Sequence, residues 1–237
     1  MSIQAVGRAQ SEARVWHGLS EHWAWLAGGL VFAFVVPFVL ADVLGVSRDL
    51  YYGLYAVAVV GLFMVWAGET GYDLVAAMKR HWLWAIGLGF AVAGVMAFLV
   101  LRTEEATARP DGVELIGAVV WRGLVYGAID GLLLSAFPIL VVFAAMAGSR
   151  LNQRFRGKVV IGIVAMLASL TMTAAYHAGY SDFRSDKMSK PLTGDLMWSI
   201  PTLVTLNPVG APIAHAGMHT TAVLHSYETN TYLPPHR

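Results

Sequence analysis

The sequence predicts an all-α, polytopic transmembrane helix bundle of about six spans, folded as one integral membrane domain over residues 1–237. Three observations carry this prediction. Hydrophobic residues make up 57% of the chain and charged residues only 13%, with mean hydropathy +0.60. An ordinary soluble surface needs about a quarter charged residues. Several apolar runs approach the roughly 20 residues that a bilayer core demands. The loops between them alternate between basic and acidic or mixed charge, as membrane topology requires.

Each element follows in order. The first 21 residues are polar, with Arg8, Glu12, Arg14, His17 and Glu21. The apolar run after them is too long for a signal-peptide core and has no small-x-small cleavage site, so it reads as a retained span. The expected spans are 23–46, 51–67, 82–101, 114–147, 159–180 and 207–225. The fourth run exceeds one straight crossing and is expected to kink near Pro138 or to begin as an amphipathic segment. The loop at 148–158 holds Arg150, Arg154, Arg156 and Lys158 with no acid, and Lys79-Arg80 precedes the third span; the connections at 42–50 and 102–113 are mixed or acidic. The positive-inside rule makes the first two loops cytoplasmic. Six spans then leave both termini cytoplasmic, in a multi-pass protein expected in a bacterial plasma membrane with the lipid bilayer as its partner.

Composition also excludes functions. A net charge of +1 offers no basic excess for a phosphate backbone, so no nucleic-acid partner is expected. Zero cysteines exclude disulfides, Cys-ligated zinc, iron-sulfur clusters and a thiol nucleophile. A metal here must be held by His and carboxylate. Eight Trp and nine Tyr suit interfacial belts.

The polar residues inside apolar runs define the candidate site. Ionisable groups are expensive in hydrocarbon and normally face a bundle interior or cavity. His215 and His219 in Ala214-His215-Ala216-Gly217-Met218-His219 stand at i, i+4, on one helix face, where two imidazoles can reach one metal or one water. Asn207-Pro208 and Pro212 open this span and bend it. If spans four and six both enter from outside, Arg122 lies about 15 Å deep and the two histidines about 12 and 18 Å deep, in one layer. Gly117, Gly123 and Gly127 around Arg122 point to close helix packing. His177 falls late in span five, and Tyr180, Asp182 and Arg184 follow it as an aromatic belt or the rim of a cleft. Asp130 falls about 27 Å along span four, where it would pair with a basic group from the cytoplasmic side. His225 is expected near the inner surface; Glu69, Asp73 and Glu114 near helix ends; and His17, His22, His81 and His236 among solvent or headgroups.

These motifs resemble a family. Trp121-Arg122-Gly123-Leu124-Val125-Tyr126-Gly127 resembles the arginine half of the EExxxR motif of the CPBP (CAAX-processing and bacteriocin-processing) intramembrane proteases. His177 resembles the histidine of their FxxxH motif, and His215 to His219 their HxxxN or HxxxB motif; the motif-bearing helices cover residues 114–225. The resemblance implies a hydrolase in which a carboxylate and histidines activate a water, with His177, His215 and Arg122 catalytic, His177, His215 and His219 holding a divalent metal, zinc first, and a membrane-embedded peptide or lipid as substrate. The family's paired glutamates are replaced by Gly117 and Ala118, and the first position of FxxxH is Thr173. A carboxylate recruited from Asp130, Asp182 or Glu69 would have to serve instead. Two other classes remain open: a non-catalytic membrane protein that binds a lipid or peptide in the same cavity, and a His-ligated redox protein carrying haem or a di-iron centre.

Overall fold

The computed structural model describes residues 3–228 and 232–234, with side chains from Ser20 onward, and all regular structure among these residues is helical. His17 and His236 lie outside the described side chains. Five helical segments are long and apolar enough to cross a membrane: Ser20–Val43, Arg48–Thr70, Trp82–Thr103, Gly112–Ala145 and Phe155–Ala178. The chain is a multi-pass helical membrane protein. Large apolar side chains face outward, such as Val57 at 77% and Trp84 at 69% exposure, as lipid contact requires.

Helix α1 (Ile3–Pro37) continues as a π turn at Phe38–Val43. Helix α2 (Arg48–Thr70) ends where Gly71 adopts φ 66, a left-handed cap that needs no Cβ. Asp73 caps the short α3 (Leu74–Lys79), accepting from the Ala76 amide at 2.8 Å, and α4 (Trp82–Thr103) follows.

The long fourth segment is the axis of the bundle. Its most apolar window is 72% buried, against 28–39% for the other four. It consists of α5 (Gly112–Ala118), a π turn Val119–Val125, α6 (Tyr126–Gly131), a π turn Leu132–Ala136 and α7 (Phe137–Ala145). The expected irregularity near Pro138 is therefore spread over two π turns, with Pro138 in the first turn of α7. Proline has no N–H to give the carbonyl four residues earlier. That carbonyl, of Leu134, accepts instead from Ser169 Oγ of α8 (Phe155–Ala178) at 2.8 Å.

Between α8 and the last helix lies an element absent from the sequence expectation. Helices α9 (Ser189–Trp198) and α10 (Ile200–Thr205) carry the chain from one end of the bundle to the other. At one end Lys190 pairs with Glu104 at 3.0 Å; at the other, Asn207 Nδ2 donates to the carbonyls of Met78 and Arg80 at 2.8 and 2.7 Å. Helix α11 (Gly210–His225) thus starts beside the Lys79-Arg80 turn and ends at the Glu104 loop, where Thr107 N donates to His225 O at 3.0 Å. This corrects the direction expected for the sixth span. The first span's start, marked by His22 against Trp66, and the last helix's end lie at opposite ends of the bundle, so the additional pass removes the reason for placing both termini on one side.

Glycine fixes how closely α11 packs. At Gly123, Gly127 and Gly131, four residues apart on one face, a Cβ would stand 2.7, 2.8 and 2.7 Å from Thr220, Ala216 and Pro212. The two helices run antiparallel at near backbone contact, as small-xxx-small stripes allow in membranes. On the other side of α11, a Cβ on Gly217 would collide with Ala93 of α4.

The tyrosines depart from the interfacial expectation. Tyr51, Tyr52, Tyr55, Tyr126, Tyr176 and Tyr180 are buried together between α2, α6 and α8. Tyr52 stacks on Tyr126 with ring centroids 3.7 Å apart. The hydroxyls of Tyr180, Tyr51, Tyr176 and Tyr126 bond to one another at 2.7–3.2 Å, which satisfies polar groups that hydrocarbon would leave bare. His22, expected among headgroups, is likewise buried and accepts from Trp66 Nε1 at 3.2 Å.

Candidate functional site

The antiparallel packing of α6 on α11 brings Asp130 to the histidine pair. Asp130, His215 and His219 are all buried, and one ligand atom from each lies within 4.8 Å of the others. Asp130 Oδ2 is 3.4 Å from His219 Nε2, without the alignment of a hydrogen bond, while Oδ1 accepts from Tyr55 at 2.9 Å. The carboxylate is thus oriented through one oxygen and presents the other to the imidazoles. Among the described residues, both ring nitrogens of His215 and of His219 are buried with no hydrogen-bond partner. Orphaned groups of this kind cost about 1–3 kcal/mol each. Their concentration beside a carboxylate marks a place built for something polar.

The space fits that reading. Asp130, His177, His215, His219, Trp198 and Tyr232 line a cavity of about 20 Å³. That is room for one water or one ion, since a water needs roughly 10–15 Å³ by this measure. Aromatic rings fix the histidines: Trp198 packs on His215 with centroids 4.3 Å apart, and Tyr126 meets His219 edge-on at 5.0 Å. The two imidazoles share one helix face, as i, i+4 spacing dictates, and their planes are 19° apart with centroids at 6.2 Å.

His177 comes from α8 and forms another wall. Its Nδ1 lies 2.8 Å from the Thr173 carbonyl. A carbonyl only accepts, so Nδ1 carries the proton and Nε2 keeps its lone pair. His177 stands outside the close trio of Asp130, His215 and His219.

Other residues singled out from sequence occupy different places. Arg122 does not share the histidine layer. It forms a two-pronged pair with Asp49, at 2.9 and 2.7 Å, and donates to the Tyr227 hydroxyl. Gly117, Ala118, Glu114 and Arg122 line a separate pocket of about 340 Å³ at that end of the bundle. Asp130 pairs with His219 and Tyr55 rather than with a basic group from a loop. His225 stands at the Glu104 end, its Nε2 3.0 Å from the Glu104 carbonyl, not at the opposite surface. Arg184 pairs with Asp42 at 3.0 Å, tying the end of α8 to the turn after α1. All these differences except Arg184 come from one inverted helix: with α11 reversed, its histidines match the depth of Asp130 instead of Arg122.

A second polar group supports the site. Asp195 of α9 is fully buried, and its Oδ1 accepts from Ser135, Ser199 and Trp198 Nε1 at 3.1, 2.7 and 2.9 Å, with Ser169 Oγ, whose proton goes to the Leu134 carbonyl, 3.1 Å away. This knot ties the π turn at Leu132–Ala136, α8 and α9 together, and it holds the indole that packs on His215. Its signal in the sequence is the stripe Asp195, Ser199, Thr202, spaced by four and three residues as on one helical face.

No family model, characterised protein or solved structure matches this chain. The site stands on its own geometry.

Proposed function

We propose that the chain is a divergent CPBP-like intramembrane hydrolase whose metal ligands are Asp130, His215 and His219, with His177 as the base beside them. The observation that carries this reading is the group of four imidazole nitrogens without a hydrogen bond, buried against a carboxylate in an ion-sized cavity. The ligand set suits zinc, which takes His nitrogen and carboxylate oxygen. A divalent ion supplies Lewis acidity that acidifies a water and polarises a carbonyl. The protein's share is orientation. Tyr55 holds the Asp130 carboxylate, Trp198 and Tyr126 hold the rings, and His177, its Nδ1 proton committed to Thr173, offers Nε2 to take a proton from water.

The motif helices support the family likeness because His177, His215 and His219 come from the expected three-helix region and line one cavity. Asp130 stands in for the family's glutamates, whose positions are Gly117 and Ala118 here. By the positive-inside rule, the end bearing Lys79, Arg80, Arg150, Arg154, Arg156 and Lys158 is cytoplasmic. The substrate class is then a membrane-embedded peptide.

A second reading is favoured by one observation: a cavity of about 20 Å³ admits no substrate group as it stands. In that reading the protein holds its ion without turnover. Digestion of a peptide library by the zinc-loaded protein, read by mass spectrometry, separates the two. Cleavage that disappears in Asp130→Asn supports the hydrolase. Bound metal with no cleavage of any peptide would overturn the hydrolase and leave the binding protein.

A further inference from the structure

The cavity is shut by the chain itself. Beyond α11, Tyr232, Leu233 and Pro234 lie back against the bundle. Leu233 is 0% exposed, in an apolar seat formed by Ala118, Ala222 and Val223. Pro234 lines the histidine cavity. Tyr232 lines both that cavity and a neighbouring groove of about 240 Å³ between α4 and α9, walled by Met96, Leu99 and Met197. Trp198 is the other side chain common to the two spaces. Tyr232 and Trp198 are therefore the partition between an ion-sized cavity and a groove large enough for a side chain of a substrate.

The root of this segment is held by more directional bonds than its tip. The root is pinned by directional bonds: Thr107 N to His225 O at 3.0 Å, Glu228 N to Thr107 Oγ1 at 3.0 Å, and Arg122 Nη1 to the Tyr227 hydroxyl. Tyr232, Leu233 and Pro234 are uncharged; Leu233 and Pro234 are seated by apolar burial, and the Tyr232 side chain bonds to Thr103. A segment anchored at its root and latched by two apolar side chains and one side-chain hydrogen bond opens at far lower cost than the bundle unfolds.

We propose that Tyr232–Pro234 is an intramolecular strap that closes the Asp130–His215–His219 cavity. Displacing the strap removes the Tyr232 and Pro234 walls and opens the cavity to the groove. The strap rests on the metal reading only for its consequence, control of access to the ion.

The absence of cysteine in the chain makes the test direct. Met218→Cys places a single thiol on the cavity wall, at a position 3% exposed. Its labelling by a small charged methanethiosulfonate is followed in the full-length protein in detergent, with a chelator present, alone and combined with Leu233→Glu. A carboxylate at residue 233 does not stay in the apolar seat, so labelling accelerates about tenfold or more, equivalent to about 1.4 kcal/mol of opening. Ala165→Cys, buried at 0% exposure in α8, stays slow in both backgrounds if the bundle is intact. Should that control also accelerate, Tyr232→Ala replaces Leu233→Glu and is judged by the same criterion. Equal Met218→Cys labelling with and without the strap substitution would overturn the proposal. Because the readout needs no metal, a protein that binds no ion would refute the metal site alone.

Discussion

Replacing Gly127 with alanine tests the close approach on which the site depends. The added methyl would stand 2.8 Å from Ala216 Cα and 3.0 Å from His219 Cβ. Carbon atoms prefer about 3.5–4.0 Å, so α11 must retreat by roughly 1 Å from a contact made by backbone rather than by a flexible side-chain end. Overpacking of this kind costs about 1–3 kcal/mol. In a chain of this size that lowers the unfolding midpoint by roughly 2–12 °C. The effect on the site is larger than the effect on stability, because ligand distances tolerate only about 0.2 Å, and His219 itself is displaced. Metal affinity should fall by about tenfold or more, the scale of a disturbed ligand shell. The assay pairs thermal unfolding in detergent with a metal titration, beside Gly94→Ala in α4, where nothing lies within 4 Å of the new Cβ. If Gly127→Ala unfolds at the same temperature as Gly94→Ala and binds metal equally well, α6 and α11 do not meet as described.

Other expected outcomes follow from the same contacts. Tyr55→Phe removes the donor to Asp130 Oδ1 and should weaken metal binding by about 10–100-fold, measured by competition with a chromogenic chelator, with the fold intact by circular dichroism. Asp195→Leu strands two hydroxyls, of Ser135 and Ser199, and an indole N–H, each costing about 1–3 kcal/mol, and should prevent recovery of folded protein, whereas Asp195→Asn keeps an oxygen acceptor and should be recovered; equal yields of the two would contradict the knot. Ser169→Ala leaves the Leu134 carbonyl without the donor that replaces the missing Pro138 N–H, and should cost about 1–3 kcal/mol in thermal unfolding.

The readable part of this fold is apolar and local. Mean hydropathy and run length suffice for the five long helices, because each must satisfy its backbone within itself and face lipid. The His215 and His219 pair stands out for the same reason: an ionisable residue in an apolar run is costly unless something receives it. The pass at 189–205 was illegible because Lys190, Pro191, Asp195, Ser199, Pro201, Thr202 and Thr205 lower its hydropathy to that of a loop. Their polarity is consumed inside the bundle, where Asp195 gathers the serines, Thr202 Oγ1 donates to the Asn207 carbonyl at 3.0 Å, and Thr205 Oγ1 bonds to the Pro201 carbonyl. Such pairing is invisible to a sum over single residues. Without that pass α11 would run the other way and His219 would fall at the depth of Arg122; with it, His219 meets Asp130. The tyrosine cluster was hidden for a related reason: hydropathy cannot distinguish a phenol at a headgroup from one bonded to another phenol.

Elemental analysis of the detergent-purified protein, beside the His215→Ala, His219→Ala double variant and after dialysis against a weak chelator, tests the central claim most directly. The account predicts about one divalent ion per wild-type chain and none in the variant. Absence of metal from both, or its equal retention by the variant, would contradict it.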